Sequence, residues 1–288
     1  MDRKTGELPP MRWRAALVVA ALALGVAPSA EGALEGGTIW LSGSSLPAEG
    51  LSRSTEGLTI ATYNVKNGQI DRHGVIETIS DIDAGIIGLN EVSPDLVREI
   101  ADKGDYRYRF GQTTTQNGQP FGNALLVRQS YNILDHHNIP LPDGGHEPRA
   151  ALHALVDAGE GPSLNVFVTH LTPDKWREPH RAVRLRQAHA LLEAVDIYGP
   201  ENVLVLGDLN EEDGVAYDLI RGRLRDGVAD AGMEAITTFS DGYDQQRLDH
   251  IFMDLAKGGS ARPGGRSGSN ASDHEALGIV IYLPVYAQ

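Results

Sequence analysis

The sequence predicts an α/β fold in which mixed β-sheets form a sandwich and helices are interspersed among the strands. Short apolar runs of strand length and helical segments follow one another without strict alternation, which is typical of a mixed-sheet sandwich. With 288 residues and 41% hydrophobic residues, the chain can bury a large core. The clearest strand is VLVLGDLN, residues 203–210, whose apolar residues end at a glycine turn followed by Asp208 and Asn210.

Apolar runs or alternation predict nine strands in the order in which the chain presents them. They cover residues 58–65, 85–92, 106–110, 122–128, 149–158, 164–171, 203–210, 247–254 and 276–283. The Gly-, Ser- and Arg-rich residues 257–272 are expected to form a loop, and so is the polar segment around His136 and His137.

Helices are predicted between these strands from apolar spacing and from end signals. They lie near residues 74–82, after residue 93, at 179–198 and near 215–224. Ser93 is expected to be an N-cap, with Pro94 in the first turn. The longest helix is expected to bury one face and to leave its Arg and Glu residues mostly on the other. That apolar face contains Leu185, Ala188, Leu192 and Val195.

The N-terminus has the pattern of an export signal. Arg12 and Arg14 precede twelve uncharged apolar residues, 15–26, whereas a membrane-spanning helix needs about 20. Small residues follow, so we expect a signal peptide over residues 1–30, a flexible linker over 31–57 and one domain over 58–288. An uncleaved N-terminal anchor is the alternative. An exported protein, extracellular or periplasmic, follows from the first interpretation.

Charge and cysteine content exclude several classes of function. The chain has no cysteine, so disulfides, thiol nucleophiles and thiolate metal sites are excluded. Its net charge is −14, and residues 1–30 carry four basic and two acidic side chains, so the chain from Glu31 onward would carry −16. This balance argues against a broad phosphate-binding surface, but it allows a small anionic substrate held by a metal ion. We expect a monomer and infer no stable protein partner.

Polar side chains that can perform chemistry collect at the ends of the predicted strands. One group follows apolar strands and another precedes them, so antiparallel pairing would bring both groups to one edge. The first group is Asn64, Glu91, His170 and Asp208, and the second is Asp249, Asp273 and His274. Taken singly, each of these residues is more often a cap or a surface charge. Together, oxygen ligands without thiolates favour Mg²⁺ or Mn²⁺, and histidines paired with carboxylates move protons. The set therefore predicts hydrolysis of a phosphate ester.

Seven segments occur in an order that resembles the endonuclease/exonuclease/phosphatase superfamily, the deoxyribonuclease-I-like fold. They are TYNV, LNEV, GNALLVR, VTHL, VLGDLN, RLDHIF and SDHEAL, and they extend from about residue 58 to the C-terminus. The resemblance implies a four-layer α/β/β/α sandwich with two mixed β-sheets packed face to face. It also implies Mg²⁺-dependent cleavage of phosphodiesters or phosphomonoesters.

The resemblance also implies a role for each matching residue. Glu91 would be the principal metal ligand with Asn64 beside it, and Asp273 would support the metal or a histidine. His274 would be the general base, oriented by Asp249. Asp208 and Asn210 would position the water and the phosphate. His170 would stabilise or protonate the departing side, and Asn123 and Arg149 would contact the substrate. These roles require a neutral His274 and a protonated His170.

Several departures from the family pattern leave the substrate open. His170 stands where apurinic-site repair enzymes have tyrosine, and Lys66 stands where they have a second acidic residue. Asn90 replaces the usual glutamine, and His250 replaces a commoner tyrosine. A phosphodiesterase or nuclease is the leading interpretation, with a sphingomyelinase-like phospholipid hydrolase or a small phosphomonoester hydrolase as the alternative. A non-catalytic binding protein on the same fold is the third possibility.

Overall fold

The computed structural model describes residues 51–53, 57–159, 161–173, 178–255, 260–267 and 270–286. The predicted signal peptide and residues 31–50 of the predicted linker lie outside the described residues. Within that linker, Leu51–Arg53 form a short strand that pairs with Pro284–Tyr286.

The described residues form sixteen strands and five α-helices. The strands are β1 Leu51–Arg53, β2 Leu58–Asn64, β3 Ile86–Val92, β4 Tyr106–Gln116, β5 Gln119–Arg128, β6 Asn132–Leu141, β7 Arg149–Asp157, β8 Leu164–His170, β9 Val203–Asp208, β10 Arg225–Asp226, β11 Phe239–Ser240, β12 Gln245–Gln246, β13 Asp249–Asp254, β14 Ser260–Ser267, β15 Ala276–Tyr282 and β16 Pro284–Tyr286. The helices are α1 Arg72–Ile82, α2 Pro94–Gly104, α3 Glu178–Tyr198, α4 Val215–Arg221 and α5 Gly227–Asp230.

Two six-stranded mixed sheets form the body of the fold, as predicted. The first has the order β14-β15-β2-β3-β5-β4, and the second has the order β10-β13-β9-β8-β7-β6. Each contains one parallel pair, β2 with β3 and β8 with β9, and its other pairs are antiparallel. The hairpin β11–β12 stands apart as a separate two-stranded sheet.

Three apolar clusters define four layers. Residues from both sheets pack against one another in the middle cluster, including Ile60 and Leu206. The outer side of the first sheet packs on α1 and α2, and the outer side of the second packs on α3 and α4. The α/β/β/α sandwich expected from the resemblance is therefore confirmed. No α-helix among the described residues is both long and apolar enough to cross a membrane.

Alternation along the strands decides which side chains reach the gap between the sheets. In β9, Leu204 and Leu206 face the gap while Val205 packs outward, so Asp208 also faces the gap. In β13, Ile251 faces the gap, which places Asp249 on the same side and His250 on the outer side, as predicted from alternation.

Two expected loops are strands at sheet edges. Ser260–Ser267 pairs with β15, and Asn132–Leu141, which contains His136 and His137, pairs with β7. Both predictions were wrong because an edge strand bonds one neighbour only and tolerates Gly, Pro and polar residues that a central strand excludes.

The predicted helices are confirmed, but the buried face of α3 differs from the predicted one. Ser93 Oγ accepts from Leu96 N at 3.4 Å, and Pro94 begins α2. In α3 the buried face contains Val183, Ala188 and Leu191, while Leu185 and Leu192 are only half-buried. That face also buries two polar residues, Arg184 and Gln187, which the apolar spacing does not predict.

Candidate active site

The predicted site residues lie at one end of the gap between the two sheets. Asp249 begins β13 directly opposite Asp208, where β9 ends, because these strands are antiparallel. β15 runs antiparallel to β2, so the residues before β15 reach the same edge as Asn64. The expectation that antiparallel pairing would join the two groups of polar residues is confirmed.

A buried carboxylate–imidazole cluster occupies the centre of this edge. His274 Nδ1 donates to Asp249 Oδ2 at 2.7 Å, and its Nε2 lies 3.7 Å from Asp208 Oδ2. Candidate ligand atoms of these three residues all lie within 4.8 Å of one another. Asp249 is held in turn through its backbone N–H, which donates to Thr238 Oγ1 at 3.0 Å. The histidine is thus oriented by one carboxylate and directed at another.

A cavity of about 280 Å³ opens beside this cluster. Its lining includes Thr238 and Phe239 of the segment leading into the β11–β12 hairpin, together with His274. The Phe239 ring centroid lies 5.1 Å from that of His274. Of the three residues in the cluster, His274 lines this cavity, on the hairpin side.

His170 lies on the other side of Asp208 and is fixed by three neighbours. Arg149 Nη1 lies 3.1 Å from His170 Nδ1, and Asn210 Nδ2 lies 2.9 Å from Nε2. Asp208 Oδ2 is 3.5 Å from the same Nε2. Because a guanidinium can only donate, Nδ1 of His170 must accept, which leaves the ring proton on Nε2, on the side of Asp208 Oδ2. Asn210 Nδ2, which donates to Leu171 O, touches Nε2 without a hydrogen bond to it.

The charge states of the two histidines are the reverse of those expected. Burial, followed by the nearby Arg149 cation, lowers the pKa of His170 well below its ordinary value, so the ring is neutral. Burial alone would also lower the pKa of His274, but Asp249, with smaller contributions from Asp208 and Asp273, raises it to about 9. His274 is therefore protonated at neutral pH, and His170 is not.

Asp208 is poised to exchange a proton near neutral pH. Burial raises its pKa to about 7, and the charge of Asp249 acts in the same direction, while His274 and the hydrogen bond from Asn64 oppose the rise. Asp208 Oδ1 accepts from Asn210 N at 2.7 Å, which fixes the carboxylate relative to Asn210.

Glu91 reaches the site because its backbone leaves the regular strand. Its φ is +54°, in the left-handed region, at a register shift between β3 and β5. Such a bulge redirects a side chain, so both Asn90 and Glu91 point into the gap. Asn64 Nδ2 donates to Glu91 Oε1 at 3.2 Å and to Asp208 Oδ2 at 3.0 Å, which reduces the repulsion between the two carboxylates.

Two of the three expected metal ligands, Asn64 and Asp273, make other contacts in the structure. Asn64 presents its nitrogen to the carboxylates, while its Oδ1 accepts from Lys66 N at 3.1 Å. Offering that oxygen to a cation would require the amide to turn over and lose the Lys66 bond. Asp273 Oδ2 lies 2.6 Å from Lys66 Nζ, so its carboxylate already has a cationic partner.

Asn123, expected to contact substrate, instead connects the two sheets. Its Oδ1 accepts from Asn90 Nδ2 at 2.9 Å, and its Nδ2 donates to Ala150 O at 2.9 Å. Asn90 Oδ1 accepts from Asp208 N at 3.0 Å, and Asn90 Nδ2 also donates to Thr169 O at 2.9 Å. These two buried carboxamides set the distance between the strand that carries Glu91 and the strands that carry His170 and Asp208.

Residues of α3 hold the loop that follows His170, and the sequence reasoning missed them. Gln187 Oε1 accepts from Thr172 N at 2.9 Å, and Arg184 Nη1 donates to Thr172 O at 3.1 Å. Arg184 Nε also donates to Glu211 Oε2 at 2.9 Å, and Glu211 Oε1 accepts from Ala216 N at the start of α4. The only sequence signal was that two polar residues lie among the apolar positions of α3.

This arrangement combines the groups that hydrolysis of a phosphate ester needs. Glu91 and Asp208 offer carboxylate oxygens, the donors that Mg²⁺ and Mn²⁺ prefer. Asp208, Asn210 and the two histidines surround the same point with proton donors and acceptors. An α/β/β/α sandwich with such a site at the open end of its sheets belongs to the class of phosphoester hydrolases.

The chain matches the model of the Endonuclease/Exonuclease/phosphatase family over residues 61–274 and therefore belongs to that family. A search among curated proteins gave no match.

Solved structures share the fold at low sequence identity. A family protein from Bacteroides thetaiotaomicron is 16% identical, with a TM-score of 0.65 over 79% of this chain and 98% of that chain. D. rerio TDP2, complexed with a single-strand DNA product, is 18% identical, with a TM-score of 0.63 over 78% of this chain and 99% of that chain. The catalytic domain of human Nocturnin, with a bound sulfate anion, is 19% identical, with a TM-score of 0.61 over 80% and 94%.

Proposed function

We propose that this protein is a hydrolase of phosphodiesters that depends on Mg²⁺ or Mn²⁺. The observation that carries the proposal is the buried cluster in which His274, held by Asp249, is directed at the carboxylate of Asp208. Its link to Glu91 through the Asn64 amide adds a carboxylate at the same edge.

The residues present fit a hard divalent cation. Glu91 is half-buried and would hold the ion beside Asp208, whose carboxylate stays free to take up a proton. The bound ion would neutralise charge on the phosphate and polarise its oxygens. Asn64 keeps the two carboxylates in place.

Asp208 is the group best suited to accept a proton from the attacking water. Its pKa of about 7 matches the condition for an efficient general base at neutral pH. Asn210 fixes the Asp208 carboxylate through its backbone N–H. His274, protonated and held by Asp249, would stabilise the negative charge that develops on the phosphate. This assignment exchanges the roles that the family resemblance implied for Asp208 and His274.

Neutral His170 would donate its Nε2 proton to an oxygen on the leaving side. Arg149 fixes that tautomer by donating to Nδ1, and it places a buried positive charge next to the site. His170 would keep the part at the departing side that the resemblance implied, but as a neutral hydrogen-bond donor and not as a cation. Arg149, expected to contact substrate, would instead act through His170 and pairs with Glu147.

The substrate is inferred to be a small phosphodiester or a nucleic-acid end. The complex of the TDP2 neighbour with a single-strand DNA product supports a nucleic-acid ester as one candidate. A net charge of −14 does not favour a long polyanion held by many phosphate contacts. The N-terminal sequence further supports export from the cytoplasm.

A substrate panel with a chelator tests this function. We expect Mg²⁺-dependent turnover of bis(p-nitrophenyl) phosphate or of DNA, and loss of that turnover in EDTA. Preferential hydrolysis of p-nitrophenyl phosphate or of sphingomyelin would establish one of the alternative substrate classes. No turnover of any of them would favour the binding-protein interpretation.

The metal assignment is tested by Glu91→Gln, with Glu99→Gln as the matched control. Glu99 lies on α2, outside the site, and pairs with Arg72 and Lys103. Glu91→Gln should raise the Mg²⁺ concentration needed for half-maximal rate by roughly tenfold or more while the melting temperature stays near that of the wild type. Full turnover in excess EDTA would contradict the proposal.

A further inference from the structure

Lys66 occupies a turn that directs its ammonium at the site. It begins the 3₁₀ turn Lys66–Gly68 directly after β2, and both Lys66 and Asn67 have positive φ values, +44° and +51°. Residues with side chains rarely adopt this conformation, and they keep it only when their surroundings hold them there. Lys66 N donates to Asn64 Oδ1 at 3.1 Å, and Ser93 N donates to Asn67 Oδ1 at 3.0 Å.

Asp273, the partner of Lys66, is anchored to the same strand end. Ser272 Oγ donates to Asn64 O at 2.8 Å and lies 3.3 Å from Asp273 Oδ1. Lys66 Nζ is 2.6 Å from the other oxygen, Oδ2, and neutralises the charge of the carboxylate. Most exposed ion pairs join two mobile side chains and contribute little. This pair instead joins two segments that hydrogen bonds to Asn64 hold together.

The four carboxylates of the site differ in what compensates their charge. Asp249 has His274, and Asp273 has Lys66. Glu91 and Asp208 share the neutral amide of Asn64. One divalent cation would balance these two carboxylates. A second cation near Asp273 would meet the ammonium of Lys66, which already pairs with that carboxylate, and like charges at short range repel each other.

We propose that Lys66 takes the place of a second cation, so that the protein binds one divalent ion and Asp273 is not a metal ligand. This inference rests on the metal dependence of the proposed function. It assigns Lys66 and Asp273 a positioning role at the edge of the site.

Counting Mn²⁺ bound to the full chain without substrate tests the inference. Electron paramagnetic resonance of free Mn²⁺ should show one ion per wild-type chain. Lys66→Glu removes the ammonium and adds a carboxylate beside Asp273, so we expect two ions per chain. Lys103→Glu is the matched control, because Lys103 also pairs with a carboxylate, Glu99, at 2.9 Å on the surface of α2. The control should still bind one ion.

A second pair of variants covers the case in which Lys66→Glu does not fold. Asp273→Asn should leave the Kd for Mn²⁺ within about threefold of wild type, whereas Glu91→Gln should weaken binding roughly tenfold or more. Two ions in the wild type, or equal weakening by Asp273→Asn and Glu91→Gln, would overturn the role of Lys66. If the wild type binds two ions and hydrolysis still needs metal, the proposed function stands and only this inference fails. If no Mn²⁺ binds and EDTA leaves hydrolysis intact, the metal-dependent function itself fails.

Discussion

At the scale of single residues, the charged neighbours of a buried group decide whether it carries a proton. His170 and His274 are almost equally buried, yet their pKa values move in opposite directions. The difference comes from their neighbours, because Arg149 faces His170 whereas Asp249 faces His274. Two histidines with the same ordinary pKa therefore carry different charges in the folded protein.

The pH dependence of the rate should follow Asp208 and His274. Asp208 must lose its proton to act as a base, so kcat/KM should rise with pH through about 7. His274 must keep its proton, so the rate should fall through about 9. The profile is then bell-shaped, and its limbs belong to the coupled cluster. Loss of His274 in His274→Ala should cost roughly 10²–10³ in rate and remove the alkaline limb.

Asp249→Asn and His170→Ala separate this mechanism from the one that the resemblance implied. The charge of Asp249 raises the pKa of both Asp208 and His274, so Asp249→Asn should move both limbs to lower pH. His170→Ala should lower the rate without moving either limb, and His189→Ala, on the exposed side of α3, should change nothing. If His274→Ala removes the acidic limb instead, His274 is the base.

At the scale of elements, the end of β9 needs a glycine. Gly207 has a φ of +137°, and a Cβ there would lie 1.9 Å from Thr169 O and 3.1 Å from Asn90 Oδ1. Thr169 O of β8 therefore lies against Gly207 of β9, one residue before His170 and Asp208. The backbone turn that places Asp208 depends on this contact.

Gly207→Ala should destabilise the protein and impair the site together. The backbone strain alone costs about 1–3 kcal/mol, and the clash with Thr169 O adds to it. Gly242→Ala is the control, because Gly242 also has a positive φ, +87°, but no described atom lies within 4 Å of its added Cβ. Urea unfolding should show a larger loss for Gly207→Ala. Equal losses would mean that the β8–β9 contact adjusts freely.

At the scale of the whole molecule, buried neutral histidines link stability to pH. His250 packs on the outer side of the second sheet, where its Nε2 donates to Glu211 O at 2.9 Å. Burial, and then the charge of Arg247, lowers the pKa of His250 to about 4 from an ordinary value of 6.5. Between these two pH values the unfolded chain binds more protons than the folded one, so stability must fall as the pH falls.

His250→Gln should flatten the pH dependence of unfolding between pH 6.5 and 4. Each unit of pKa difference contributes roughly 1.4 kcal/mol, so the wild type should lose roughly 3 kcal/mol more than the variant over this range. The glutamine amide can still donate to Glu211 O. The measurement is urea unfolding at several pH values, with His189→Gln as an exposed control. Parallel curves for wild type and His250→Gln would contradict the prediction.

Processing of the N-terminus is a prediction for the whole chain. If residues 1–30 direct export, mass spectrometry of exported protein should find an N-terminus near Glu31. An intact N-terminus on membrane-bound protein would favour the uncleaved anchor.

The sequence by itself determined the α/β sandwich, its central strands and the meeting of polar strand ends at one edge. These features are local, since an apolar run followed by a polar residue marks a buried strand end wherever it occurs. Asp208, His170 and Asp249 could be predicted to meet because strand direction and alternation place them on one edge. The edge strands β6 and β14 escaped prediction because pairing with one neighbour leaves a weak apolar pattern.

The tertiary structure alone decided how those residues work. Lys66 and Asp273 are 207 positions apart, so their ion pair exists only after the sheet has formed. The left-handed turn of Glu91 depends on the bulge between β3 and β5. His274 is protonated because the buried carboxylate of Asp249 lies beside it. In water the charge of this carboxylate would be screened, but in the gap between the sheets it is not.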